Sequence, residues 1–208
     1  MVIRHVIAGV ITGLVITLAL PGSAWSQPGS SPAPVTVLPL PASPSPVETT
    51  AFAPAELDIP SIGVKAAVVP VGTAMVSAPF LGGQMVPTFG VPPDGFSVGW
   101  WNAGPLVGAP GMAILLGHTQ VGGGYAVFNR LGELRPGDQV NISGLSPDAR
   151  ARFRITRVVS GIPKNDPEAL RRALSDNSQG SHLAMITCGG DFDVSYRASA
   201  ENIIAFAE

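Results

Sequence analysis

A single cysteine, Cys188, closes the apolar run Leu183-Ala184-Met185-Ile186-Thr187 and is followed by Gly189 and Gly190. A thiol at the end of a strand-like segment, with glycines beyond it, is placed as a nucleophile is placed. With no second cysteine it forms no internal disulfide. The reactive species of such a residue is the thiolate, so the chemistry asks for an imidazole or another base beside it. Three histidines are available. His5 lies at the N-terminus, and His182 stands at the start of the cysteine's own strand, about 20 Å away at ~3.3 Å per residue. His118 follows Ala113-Ile114-Leu115-Leu116-Gly117, at a strand end, where reactive groups are commonly presented. It is the partner left for the thiol.

Acyl transfer also needs donors for a developing oxyanion. Arg197 is the only Arg or Lys after Cys188 and is the candidate cation. Gly189 and Gly190 would let a substrate backbone approach closely, and their N–H groups would add donors. Thr187 joins them as a candidate substrate-binding residue. Asp191 and Asp193 read as solvated loop carboxylates rather than a metal pair, because no further ligands cluster near them. No cofactor is expected.

The elements that must hold these groups lie in the C-terminal three quarters of the 208 residues. Hydrophobic residues make up 46% and charged residues 12%, a balance that suits a core-forming chain and excludes a charged disordered one. A net charge of −2 offers no basic field for nucleic acid. Residues 1–26 carry Arg4 and His5, an apolar run from Val6 to Leu20, and then small residues around Ala24 and Ser26. The run is shorter than the ~20 residues of an ordinary spanning helix. It reads as a signal peptide or an uncleaved signal anchor, and either exports the remainder. In an exported chain an unpaired cysteine is flagged as a reactive thiol. Residues 27–54 hold eight prolines and one charge, Glu48. Such a linker favours polyproline II and reaches roughly 90 Å when extended.

Residues 55–208 form the folded domain, and strand signals dominate it. Glu56–Ile59 alternates and ends at Pro60; Val64–Val71 is β-rich, with Pro70 implying an edge or bulge. Met112–Leu116, Gln139–Ile142, Arg152–Val159, Leu183–Thr187 and Asn202–Phe206 follow. One helix is expected over Asp166–Ser175, with Asp166 as its cap and Ala169, Leu170, Ala173 and Leu174 as its apolar stripe. Ser77–Asp94, rich in Gly and Pro, reads as a long surface loop. Many short strands and few helices point to a closed barrel or sandwich.

Three runs carry a family resemblance: Ile114-Leu115-Leu116-Gly117-His118, Ala126 to Asp138 (AVFNRLGELRPGD), and Met185 to Asp193 (MITCGGDFD). They resemble the sortases, most closely the actinobacterial class E and class F groups. The resemblance extends from Leu57-Asp58-Ile59-Pro60 through Val98-Gly99-Trp100-Trp101 to the C-terminus. It implies a mostly β fold, a sortase-type closed barrel of about eight strands with one or two short helices. It implies Cys188 as nucleophile, His118 as its proton partner and Arg197 as the substrate-binding, oxyanion-stabilising cation. It implies a cysteine transpeptidase that cleaves an LPxTG-like sorting signal between Thr and Gly through an acyl-thioester. The partners implied are sorting-signal-bearing surface proteins, and a peptidoglycan precursor or pilin amine as acceptor. The place implied is the extracytoplasmic face of the membrane, held by the N-terminal segment or released after signal cleavage. Two departures stand out. Thr119-Gln120 follows His118 where many class E and F members carry Val-Asp, and Ser195-Tyr196-Arg197-Ala198 differs from common family spellings.

Two other readings compete. An exported peptidase or L,D-transpeptidase acting on peptidoglycan fits less well: the thiol is not in a Ser-His-Gly-Cys-like run, and His118 precedes Cys188. A catalytically weak sortase-like surface domain that only binds would show no covalent capture at Cys188.

Overall fold

The computed structural model describes residues 50–208. The expected signal segment and most of the proline-rich linker lie outside the described residues. Among the described residues no helix is long and apolar enough to cross a membrane.

Twelve strands and one α-helix follow in chain order: β1 (Glu56–Ile59), β2 (Val64–Val71), β3 (Thr73–Ala78), β4 (Gln84–Phe89), β5 (Val98–Trp101), β6 (Ala113–Leu116), β7 (Gln120–Val121), β8 (Gly124–Tyr125), β9 (Gln139–Ser143), β10 (Arg150–Pro163), α1 (Ala169–Asp176), β11 (Leu183–Asp193) and β12 (Ala198–Ala207). Eight of them close a barrel in the order β1-β2-β5-β6-β11-β12-β10-β9; β3–β4 and β7–β8 are separate hairpins. Of the barrel and the sandwich that the strand pattern left open, the structure has the barrel, with the eight strands and the short helix that the resemblance implied.

Two apolar layers explain the strand sequences. The barrel interior takes every second residue, including Leu57, Ile59, Val140, Ile142, Leu115 and Met185. The outer face of β6, β11 and β12 carries Ile114, Leu116, Ala184, Ile186, Ile204 and Phe206, with Ala169 of α1 packed on them. Leu170, Ala173 and Leu174 of the same helix stripe pack beside it. Strands β6 and β11 are therefore buried on both faces, and their sequences run apolar without alternation, as parallel neighbours do. Each fully buried aliphatic side chain in this slab contributes about 1.5–3 kcal/mol.

Pro70 sits where the expectation put it. The pairing of β1 with β2 ends at Glu56↔Ala67, so beyond it β2 has β5 on one side alone. A missing N–H is tolerated there. Two expectations fail. Ser77–Asp94 is largely a hairpin rather than a loop, because β3 and β4 pair from Thr73↔Phe89 to Ala78↔Gln84. Both strands are mostly exposed, so they lack the apolar alternation that announces a strand. The helix starts at Ala169, three residues after Asp166. Asp166 heads a turn instead: its carboxylate accepts from the Glu168 N–H at 2.9 Å and pairs with Arg172 at 2.6 Å.

Candidate active site

The site stands where β6 ends, beside the middle of the longer β11, which runs on past Cys188 to Asp193. These strands run parallel with Leu183↔Ala113 through Ile186↔Leu116 in register. The Gly117 N–H donates to the Ile186 carbonyl at 3.1 Å, continuing the ladder. Continued two residues past its last pair, Ile186↔Leu116, this register brings His118 alongside Cys188. By alternation both follow Leu116 and Ile186 onto the outer face, the one that carries α1.

Hydroxyl groups lock the last rungs. The Thr187 hydroxyl donates to the Gly117 carbonyl at 2.8 Å, and the Thr119 hydroxyl donates to the Cys188 carbonyl at 2.6 Å. The two hydroxyl oxygens lie 2.8 Å apart, so two protons serve three short contacts. Thr119, notable in the sequence as a departure from a family spelling, thus fixes the backbone of the thiol residue. Thr187 is 4% exposed, and its hydroxyl faces the neighbouring strand.

His118 is half-buried, and its Nε2 lies 3.0 Å from the Pro92 carbonyl. A carbonyl only accepts, so Nε2 carries the proton and Nδ1 is left as the basic atom. The Pro92–Ser97 loop is itself braced. Asp94 accepts from the N–H groups of Ser97 at 2.7 Å and Phe96 at 2.8 Å, and from the Ser97 hydroxyl at 3.1 Å. The Ser97 and Phe96 N–H groups hold the Asp94 carboxyl below the ordinary carboxylate value, and the His118 imidazole adds to the effect. His118 is gripped from the other side by its own backbone, whose carbonyl accepts from the Phe128 N–H at 2.9 Å.

Cys188 is half-buried and unpaired. The Lys164 ammonium, at the end of β10, donates to its Sγ at 3.2 Å and to the Ser199 carbonyl at 2.9 Å. Sequence reasoning missed this lysine. It stands in Pro163-Lys164-Asn165-Asp166, which reads as an ordinary approach to a helix, and nothing short of the strand pairing of β10 with β12 would have singled it out.

The remaining candidates sit further along the β11–β12 hairpin. Gly189 is buried against Ile203, where a Cβ would come within 2.5 Å of Ile203 Cγ1. Gly190 has φ +69°, a left-handed backbone that favours glycine. Packing and turn geometry alone thus require both glycines. Arg197 lies in the exposed turn between β11 and β12, with φ +50°. Cys188 pairs with Asn202, so Arg197 stands roughly 16 Å along the ladder from that rung. No hydrogen bond or ion pair among the described residues uses its guanidinium. Asp193 accepts from the Ser195 and Tyr196 N–H groups in the same turn. His182 is exposed and bonded through its backbone to Ala113 and Ala207. Among the described residues no cluster of His, Cys, Asp or Glu could hold a metal ion.

Comparison with known proteins completes the description. A family model, the sortase domain, matches residues 57–208. Sortase A from Corynebacterium diphtheriae superposes with a TM-score of 0.51 at 12% identity, over 76% of this chain and 61% of that one. Sortase C-1 from Actinomyces oris gives 0.47 at 18% identity, over 74% and 71%. A Clostridium perfringens sortase D5 transpeptidase gives 0.48 at 18%, over 75% and 78%. No curated protein matches the chain.

Two outcomes are expected of variants here. Thr119→Val should cost about 1–3 kcal/mol in urea unfolding, with Thr119→Ser close to wild type. Because the Asp94 carboxyl is depressed on folding, its contribution is present above about pH 4 and lost as pH falls through its folded value. The difference in Tm between wild type and Asp94→Ala should therefore be largest near neutrality and close at low pH.

Proposed function

The chain belongs to the sortase family of cysteine transpeptidases, and on that premise we propose that it cleaves an LPxTG-like sorting signal between Thr and Gly and passes the acyl group to an amine. The observation that carries the reading is the pairing of β6 with β11, which sets an imidazole abreast of a lone thiol on one face of the barrel.

In this reading His118 Nδ1 takes the thiol proton and the Cys188 sulfur attacks the threonine carbonyl carbon. The tetrahedral intermediate collapses as its C–N bond breaks, and His118 returns the proton to the departing amine of glycine. The acceptor amine then attacks the thioester, its proton passes to His118, and the C–S bond breaks to free the thiolate. The acceptor is a peptidoglycan precursor or a pilin amine, and the chain works on the extracytoplasmic face of the membrane, held by its N-terminal segment or released from it. Gly190 and Arg197 belong to the proposed substrate contacts; Thr187 and Gly189, expected beside them, are buried and act by fixing the backbone around Cys188.

An apolar groove supports a place for the peptide. Pro87, Phe89, Trp101, Leu170 and Leu174 line it between the β3–β4 hairpin, β5 and α1. Phe89 packs edge-on against Trp101, with ring centroids 5.0 Å apart. Trp101 and Phe89 flank the outer cluster that continues toward Cys188, so a peptide lying along this face would reach the thiol.

The direct test is intact-mass spectrometry of the full-length protein with an LPxTG-type peptide, with and without an amine acceptor, beside Cys188→Ala. An adduct on Cys188 that resolves into amine-linked product is expected; a panel of motif variants that yields no adduct would overturn the reading. Exchanging residues 167–180, which carry α1, should change peptide preference by about tenfold or more while leaving thioester formation with a reactive acyl donor within about twofold. Unchanged preference in a folded exchange variant would remove α1 from the groove.

A further inference from the structure

We infer that Lys164 is a catalytic residue of this chain and that its ammonium is the cation that holds the Cys188 thiolate. The inference rests on the proposed reading of Cys188 as nucleophile and adds to it a second cation, distinct from the oxyanion-stabilising Arg197 that the resemblance implies.

The placement is built by three strands. The Lys164 N–H donates to the Ala200 carbonyl at 2.9 Å, which extends the β10–β12 ladder one residue past Pro163↔Glu201. On the other side of β12, Asn202 pairs with Cys188 of β11. The lysine side chain thus crosses β12 to reach the thiol. By alternation Ala200 shares the outer face with Asn202 and Ile204, and its side chain is only a methyl group. A longer side chain at that position would occupy the space the ammonium uses.

The face on which Lys164 projects is set by a bulge. Val158 packs on the barrel interior and Val159 on the outer cluster, so simple alternation would send Ile162 and Lys164 inward. The pairing instead passes from Val159↔Ile204 to Ile162↔Asn202, three residues on β10 against two on β12. Gly161, at φ +73°, sits inside this irregularity and makes it possible. Ile162 therefore lands in the outer cluster, and Lys164 lands on the face of Cys188.

The contacts are those of a fixed cation. Two of the three ammonium protons are directed, one to Sγ at 3.2 Å and one to the Ser199 carbonyl at 2.9 Å. The lysine is half-buried and has no carboxylate partner among the described ion pairs, so its charge is not cancelled locally. The other titratable groups near the pair are His118 beyond β6, Glu201 on β12 beside Gly190, and Asp191 past Cys188 on β11. On the segment leading into α1 and on the helix, Asp166 pairs with Arg172 and Glu168 with Arg171. An ammonium in hydrogen-bond range of sulfur favours the thiolate and strengthens with the charge that forms there. His118 remains the group that moves the proton.

The test reads the thiol without a peptide substrate. Iodoacetamide alkylation of Cys188, the sole cysteine, is followed by intact mass on the full-length protein as a function of pH. Lys164→Met should slow alkylation at mildly acidic pH by about tenfold and move the pH profile upward. Lys164→Arg should restore most of the rate, and Lys65→Met, a cation removed on β2, should match wild type. Thermal melts of each variant establish that the fold is retained, and Lys164→Gln replaces Lys164→Met if that variant does not fold. A wild-type profile in folded Lys164→Met, or a profile that moves with Arg197→Ala instead, would overturn the inference. The two readings fail separately. A missing peptide adduct with a displaced alkylation profile sinks the sorting-signal reading alone, and a peptide adduct with an undisplaced profile sinks the role of Lys164 alone.

Discussion

The parallel pairing of β6 with β11 is the constraint on which the rest of the site depends. A strand pair aligns residues one for one, and a slip of a single residue turns every side chain to the opposite face. His118 and Cys188 each follow the paired Leu116 and Ile186 by two residues, so the register carries both toward the same face. The register is enforced from both sides, by Leu115 and Met185 inside the barrel and by Leu116 and Ile186 under α1. With both faces buried, a slip is resisted by the fit of these side chains in each packed layer. The threonine hydroxyls then fix the final rungs, where apolar packing ends and the reactive groups begin.

Bracing falls off with distance from that pair in a way that sorts the candidate residues. His118 is held by its backbone in the Phe128 hydrogen bond and by its ring on Pro92, and the Pro92 loop is held in turn by the Asp94 carboxylate. Lys164 is held by its backbone on Ala200 and by its ammonium on Ser199. Arg197 lies in an exposed turn at the hairpin tip, in a left-handed backbone conformation that β-carbon-bearing residues seldom adopt. The same tip touches the β3–β4 hairpin through Tyr196 and Phe80, with ring centroids 4.8 Å apart. Its contacts are thus with the outer arm, whereas those of Lys164 are with the strand that bears the nucleophile.

Much of this was legible in the sequence, for reasons that can be stated residue by residue. The runs Ala113–Leu116 and Leu183–Ile186 announced strands buried on two faces, and the two candidate reactive residues follow those runs directly. The alternation of Phe153 and Ile155 against Arg152 and Arg154 announced a half-buried strand. What was not legible depends on partners rather than on pattern. The β3–β4 hairpin is mostly exposed and carries Pro79 and Pro87, so its strands resemble a loop until Thr73↔Phe89 and its neighbours are seen to pair. Val98–Trp101 is four residues long with Gly99 inside it, too short for a periodic signal. Lys164 was hidden for a different reason: its face is decided by an irregularity in β10, and its partner lies two strands away.

That irregularity carries a physical consequence for how the thiol is activated. A charge stabilises a developing anion most when it is oriented before the reaction, because no reorganisation is then needed as the charge forms. A lysine on a loop would be drawn into water, where its ammonium is strongly hydrated. Here the ladder fixes the Lys164 backbone on Ala200, and the bulge at Gly161 turns its side chain outward. Two of its ammonium protons are directed to a backbone carbonyl and to sulfur itself. Half-burial keeps the thiol open to a peptide while the two strands beside it keep the cation from swinging away. The ammonium is thereby placed by sheet geometry, through a bulge in β10, while the imidazole is placed by the register of β6 on β11, and in the proposed reading both serve the same thiol.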